Sequence, residues 1–109
     1  MNDWITVCDE DAITPGTGVC ALLDKEQVAI FKTGNDKQLY AISNYDPIGK
    51  ANVLSRGILG SIGDKMVVAS PLYKQHFDLS TGECIEDESA QVKTYAVRVD
   101  KGKIQLGAA

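Results

Sequence analysis

The sequence predicts an antiparallel all-β domain, a sandwich or barrel, and three observations carry that prediction. Turn-forming clusters recur, as Pro15-Gly16-Thr17-Gly18, Thr33-Gly34-Asn35-Asp36, Ser80-Thr81-Gly82 and Asp100-Lys101-Gly102, and each supplies residues that accept tight backbone geometry. The segments between them are short and rich in β-branched and aromatic residues, the composition that suits a pleated surface. No window sustains the 3.6-residue period of an amphipathic helix.

Val19 to Leu23, Gln27 to Lys32 and Gln38 to Ser43 read in order as three strands joined by hairpins. From Asn44 to about Gly63 the alternation fades and glycines stand at 49, 57, 60 and 63. This stretch reads as inserted loops, with one helical turn possible over Ala51 to Arg56. Gly57-Ile58-Leu59-Gly60-Ser61-Ile62-Gly63 reads as a turn-rich loop, since it matches neither phosphate-binding glycine pattern. His76 and Phe77 fall on a strand. Tyr95, Val97 and Val99 alternate with Thr94, Ala96 and Arg98, the period of a half-buried strand, and Lys103 to Leu106 is its return. The C-terminal Gly107-Ala108-Ala109 is expected to fray. At 109 residues the chain has room for one domain, taken as 1–109.

Eleven Lys and Arg against fifteen Asp and Glu give a net charge of −4, which argues against duplex DNA or an anionic membrane as partner. Residues 44–76 differ locally: Lys50, Arg56, Lys65 and Lys74 face only Asp46 and Asp64, so this stretch is positive on an acidic body. The longest apolar runs, Val28-Ala29-Ile30-Phe31 and Met66-Val67-Val68-Ala69, are far shorter than the roughly 20 residues a membrane helix needs. No basic segment followed by an apolar stretch opens the chain, so the expected location is the cytoplasm. Cys8, Cys20 and Cys84 are odd in number and widely spaced, which fits free thiols rather than a disulfide framework.

Catalytic signals are weak. His76 is the single histidine, and Ser70 and Asp78 near it make no nucleophile elbow. Spaced Cys/His pairs for zinc or iron are lacking. Cys20, inside a strand, reads as a small core hydrophobe. Cys8 and Cys84 lie beside acidic residues, which disfavour the thiolate. Asp9-Glu10-Asp11 and Glu86-Asp87-Glu88 lack the alternating spacing of a calcium loop and read as solvated.

Two loops carry a resemblance. Tyr40-Ala41-Ile42-Ser43-Asn44-Tyr45-Asp46-Pro47-Ile48 resembles the first cluster-binding loop of Rieske ferredoxins, which ends in Cys-Pro-His. The run from Ala69 to Glu83, with Ser70-Pro71-Leu72-Tyr73-Lys74-Gln75 and Phe77-Asp78-Leu79-Ser80-Thr81-Gly82, resembles the second loop, Cys-Pro-x-His-Gly followed by Phe-Asp-x-x-Thr-Gly. The frame is kept and the ligands are not. Asp46 and Ser70 stand at the cysteine positions, Ile48 and Tyr73 at the histidine positions. A Rieske centre needs two thiolates and two imidazoles, so no metal or cofactor is expected on this chain.

Within that frame the chain is similar throughout to the small subunits of NAD(P)H-dependent nitrite reductases. The segments that carry this are Pro15 to Ala21, Gln27 to Phe31, Ile42 to Pro47, Val53-Leu54-Ser55-Arg56-Gly57 and Ser70 to Gln75. The resemblance implies a Rieske-like fold and a non-redox accessory role. It also implies a large-subunit partner that carries FAD, sirohaem and a [4Fe–4S] cluster and reduces nitrite to ammonium. The former cluster loops, about 44–63 and 69–77, are the expected partner surface, through Tyr45, Asp46, Pro47, Lys50, Arg56, Tyr73, Lys74 and His76. Asp46 and Tyr73 are also expected to bond to each other or to backbone, filling the space of a cluster. Two other readings stay open: an electron carrier with an unorthodox metal site on His76 and a cysteine, and a stand-alone protein-binding module on the same frame.

Overall fold

A computed structural model describes residues 4–23, 25–34 and 38–107. Asn35 and Asp36 of the second predicted turn, and the Ala108-Ala109 tail, lie outside the described residues. Two antiparallel systems are built from strands β1 (Ile5–Asp9), β2 (Thr17–Leu23), β3 (Glu26–Lys32), β4 (Leu39–Ser43), β5 (Tyr45–Asp46), β6 (Ala51–Asn52), β7 (Ile58–Ile62), β8 (Lys65–Ala69), β9 (His76–Asp78), β10 (Thr94–Asp100) and β11 (Lys103–Gly107). A six-stranded sheet runs β1-β11-β10-β4-β3-β2 and a three-stranded sheet runs β7-β8-β9, with β5 and β6 paired on their own. The large sheet curls so that its edges, β1 and β2, approach each other. The three strands read first from the sequence and the β10–β11 hairpin are all present; β2, β3, β10 and β11 each run a residue or two longer than read, and β4 begins one residue later, at Leu39.

The run Val28-Ala29-Ile30-Phe31 is apolar without interruption because β3 is buried on both faces, as central strands are when both sides are covered. Val28 and Ile30 join Ile13, Ala41, Tyr95, Ile104 and Leu106 inside the curled sheet. Ala29 and Phe31 face the other way, into a second core with Ile42, Leu54, Val68, Phe77, Leu79, Cys84 and Val92. This second core glues the small sheet, and the loops it carries, onto the large one.

Two expectations about the middle of the chain need correction. Ile58–Ile62 is a strand, not a turn-rich loop: it pairs with β8 from Ile58↔Ala69 to Ile62↔Lys65, around a turn in which Gly63 sits at φ +62°. Of the glycines around it, Gly57 marks close packing and Gly63 the hairpin turn. A Cβ on Gly57 would come within 2.4 Å of the Ala69 carbonyl oxygen. Ala51 to Arg56 divides into β6 and a 3-10 turn, Leu54–Arg56, that buries Leu54 beneath the loops.

The Ser80-Thr81-Gly82 turn leads away from β9. Gly82 has φ +82°, and a Cβ there would lie 2.0 Å from the Val92 carbonyl oxygen. Gly82→Ala is therefore expected to cost about 3 kcal/mol in urea unfolding, from left-handed strain plus overpacking. Gly60→Ala, whose Cβ meets nothing within 4 Å, is expected to leave stability within about 0.5 kcal/mol.

Candidate functional site

The two loops repeat one local design. In the first, the Asp46 carboxylate accepts the backbone N–H groups of Ile48 (2.8 Å) and Gly49 (3.0 Å), and the Lys50 N–H closes onto the Asp46 carbonyl (2.7 Å). In the second, Ser70 Oγ accepts the Leu72 N–H (3.3 Å) and the Lys74 N–H closes onto the Ser70 carbonyl (3.0 Å). Each loop thus starts at a short polar residue followed by proline, whose fixed φ favours turn initiation. The side-chain oxygen supplies acceptors for backbone donors that no strand satisfies.

The loops are then joined. Ser70 Oγ donates to Asp46 Oδ2 at 2.5 Å, and both residues are shut off from solvent, Asp46 at 0% exposure and Ser70 at 1%. Leu72 of the second loop lies over Gly49 of the first, so closely that a Cβ on Gly49 would stand 2.4 Å from Leu72 Cδ1. A buried carboxylate is stable only with its hydrogen bonds made. Three donors meet that requirement here.

The four positions that would carry a Rieske cluster do not act as a set. Asp46 and Ser70 are engaged with each other and with backbone. Ile48 has no donor atom and packs, half-buried, against the second core. Tyr73 is 65% exposed and does not bond Asp46; of the expected alternatives, Asp46 takes the backbone one, through the Ile48 and Gly49 N–H groups, and adds Ser70 as a partner. Oxygen donors already committed to a clasp, one aliphatic side chain and a solvent-exposed phenol do not fit a [2Fe–2S] group. Among the described residues, no group of three or more His, Cys, Asp or Glu side chains could hold a metal ion.

Around the clasp lies the surface that the sequence singles out. Tyr45 (43%) and Tyr73 are exposed, as are Lys50, Arg56 and Lys74, while Pro47 is half-buried. Asp46, counted with them from sequence, faces inward and shapes the tip rather than its surface. Leu72, 45% exposed, belongs to this surface and is missed by the sequence reading. The repeated polar-Pro pattern gives no signal for it, because the equivalent residue of the first loop, Ile48, packs against the second core.

His76, at the base of the second loop, is held by Glu86: its backbone N–H donates at 2.8 Å and its Nδ1 lies 2.6 Å from the other carboxylate oxygen. Partial burial pushes the Glu86 carboxyl up, but the hydrogen bonds from His76 outweigh it and the net shift is downward. Glu86 is thus more than a solvated charge. Cys84 donates to the same carboxylate, at 3.8 Å, and is the cysteine of the core. Cys20, expected there, is exposed instead. The period of β2 explains this, because Val19, Ala21 and Leu23 take the inward positions and leave Cys20 outside. Burial raises all three thiols, with Asp9 adding to the effect at Cys8.

With this geometry in view, comparison with known proteins is decisive. The profile of the Rieske-like [2Fe-2S] domain matches residues 3–107. The chain belongs to that Rieske-like family. Within it, the chain is 52% identical over 106 residues to the nitrite reductase (NADH) small subunit of Salmonella typhimurium, covering 97% of this chain and 98% of that one. The solution structure of the E. coli protein NirD superposes with a TM-score of 0.90 at 50% identity, covering 100% of this chain and 99% of that one. A third relative is the nitrite reductase [NAD(P)H] large subunit of Klebsiella oxytoca, 41% identical over 104 residues, which are 95% of this chain but 11% of that protein. This Rieske-like chain therefore also resembles a segment inside a large subunit.

Two measurements check the site. In a double-mutant cycle, Asp46→Ala and Ser70→Ala are expected to couple by about 1.5 kcal/mol or more in urea unfolding, since each alone strands a buried partner. Iodoacetamide followed by mass spectrometry is expected to label Cys20 in the native protein, and Cys84 only after unfolding.

Proposed function

We propose that this chain is the non-redox accessory subunit of a cytoplasmic NAD(P)H-dependent nitrite reductase, and that it binds the cofactor-bearing large subunit through the tip formed by the two clasped loops. The observation that carries the reading is the Asp46–Ser70 bond, in a chain alike over nearly its whole length to nitrite reductase small subunits. The two positions that would supply thiolates to iron instead hold each other. The Klebsiella relative supports the pairing, because there a segment of this kind is part of a large subunit.

On this reading FAD, sirohaem and a [4Fe–4S] cluster reside on the large subunit, which reduces nitrite to ammonium. This chain supplies a preformed surface: Tyr45, Lys50, Arg56, Tyr73, Leu72 and Lys74 exposed, with Pro47 and His76 at the rim. Exposed aromatics and cations are the residue types that dominate interface energetics. A bound subunit raises its partner's activity only by preferring the active conformation, so a clasped, rigid tip suits that task better than a mobile one.

The experiment adds this chain to the isolated large subunit and follows nitrite-dependent NAD(P)H oxidation. The rate is expected to rise on addition, and the chain expressed alone is expected to be colourless, EPR-silent and free of stoichiometric iron. Reversing charge at Lys50, Arg56 and Lys74 together is expected to weaken co-purification by about tenfold or more. Iron at stoichiometric level would return the electron-carrier reading, and binding untouched by charge reversal would move the interface off the tip.

A further inference from the structure

Lys50 and Lys74 adopt a backbone conformation that the fold does not require of a lysine. Their φ angles are +58° and +62°, in the left-handed region where a Cβ crowds the backbone and glycine is favoured. Both occupy the same step of their loops, donating N–H to the carbonyl four residues back. Helices use that closing position in the same way, and most often fill it with glycine. Twice, then, the closing residue of a tip loop is a disfavoured lysine.

Nothing within the described residues accounts for the choice. Both side chains are exposed, and neither forms an ion pair among the described residues. The clasp places the two lysines on one tip, since each follows by four residues a partner in the Asp46–Ser70 bond. Leu72 and Tyr73, both exposed, immediately precede Lys74 in the same loop. The third lysine with positive φ, Lys101 at +53°, differs in kind. It occupies the two-residue turn Lys101-Gly102 between Asp100 and Lys103, and such hairpin turns call for positive φ at both central positions.

We infer that Lys50 and Lys74 form a paired cationic grip on an acidic surface of the large subunit, set beside an apolar contact made by Leu72 and Tyr73, and that the strain in the two loops is retained for this charge. The inference rests on the proposed pairing with the large subunit. The partner chemistry is a carboxylate-bearing protein surface. A polyanion such as a nucleic acid would meet a chain with fifteen acidic residues and net charge −4, whereas a protein patch can match two local cations beside an apolar spot.

The test uses the full chain in four versions besides the natural one: the pairs Lys50→Gly/Lys74→Gly, Lys50→Asn/Lys74→Asn and Lys50→Arg/Lys74→Arg, and the single Lys101→Gly. The thermal midpoint of each is measured alone, and its affinity for the large subunit at about 50 mM and about 300 mM salt, a range over which screening grows markedly. The glycine pair is expected to melt a few degrees higher, bind about tenfold more weakly at low salt and lose most of its salt dependence. The asparagine pair, neutral yet tolerant of positive φ, is expected to lose affinity in the same way. The arginine pair is expected to bind and melt like the natural chain. Lys101→Gly is expected to bind like it at both salt concentrations.

Natural chain that binds while the glycine and asparagine pairs bind equally well would overturn the inference and leave the pairing standing. A glycine pair that melts lower than the natural chain would overturn the strain argument and the inference with it. Failure of the natural chain to bind the large subunit at either salt concentration would overturn the pairing itself.

Discussion

Asp46 and Ser70 meet at the one place where two loops from different strands must be held in register, and much of the tip follows from that contact. Each residue organises its own loop through backbone donors, then gives its remaining capacity to the other. A hydrogen bond between a buried carboxylate and a buried hydroxyl is charge-assisted and poorly replaced by water. It does by polar bonding what a shared cluster does by ligation: it fixes the distance between two loops that have few apolar side chains to pack.

The clasp is only as firm as its base. That base is the second core, where Phe31 and Ala29 from the large sheet meet Val68 and Phe77 from the small one. Because β3 feeds both cores with alternate residues, the small sheet is anchored to a strand of the large one that is buried on both faces. Leu54 fills the space below the first loop, and Gly57 lets the chain pass directly over β8. His76 and Glu86 tie the end of the second loop to the segment that follows β9. The tip is therefore supported from below on both sides, and its exposed tyrosines, leucine and cations stand on that packed and hydrogen-bonded frame.

Much of this was legible in the residues. Period-two strands and turn clusters placed five of the six strands of the large sheet, all but the edge strand β1, and the Asp-Pro and Ser-Pro runs marked the loops with their missing ligands. What escaped has physical causes. Ile58–Ile62 looked like a loop because Gly57, Gly60 and Gly63 are punctuation in sequence, whereas two of them serve close strand packing and a hairpin turn. Cys84 rather than Cys20 is the buried cysteine, because burial depends on strand phase and on the second core, and a lone cysteine reveals neither. The Asp46–Ser70 bond spans 24 residues, and a contact of that range leaves no local periodicity to read. Positive φ at Lys50 and Lys74 is hidden for the opposite reason: sequence would have put glycine there.

Amide hydrogen exchange at Ile48, Gly49 and Lys50 tests the clasp most directly, because these three N–H groups donate to Asp46 and sit in a loop rather than a strand ladder. A clasped tip predicts protection approaching that of the β3 amides, lost locally in Ser70→Ala. Exchange in the natural chain at the rate of an open surface loop, unchanged by Ser70→Ala, would contradict the account.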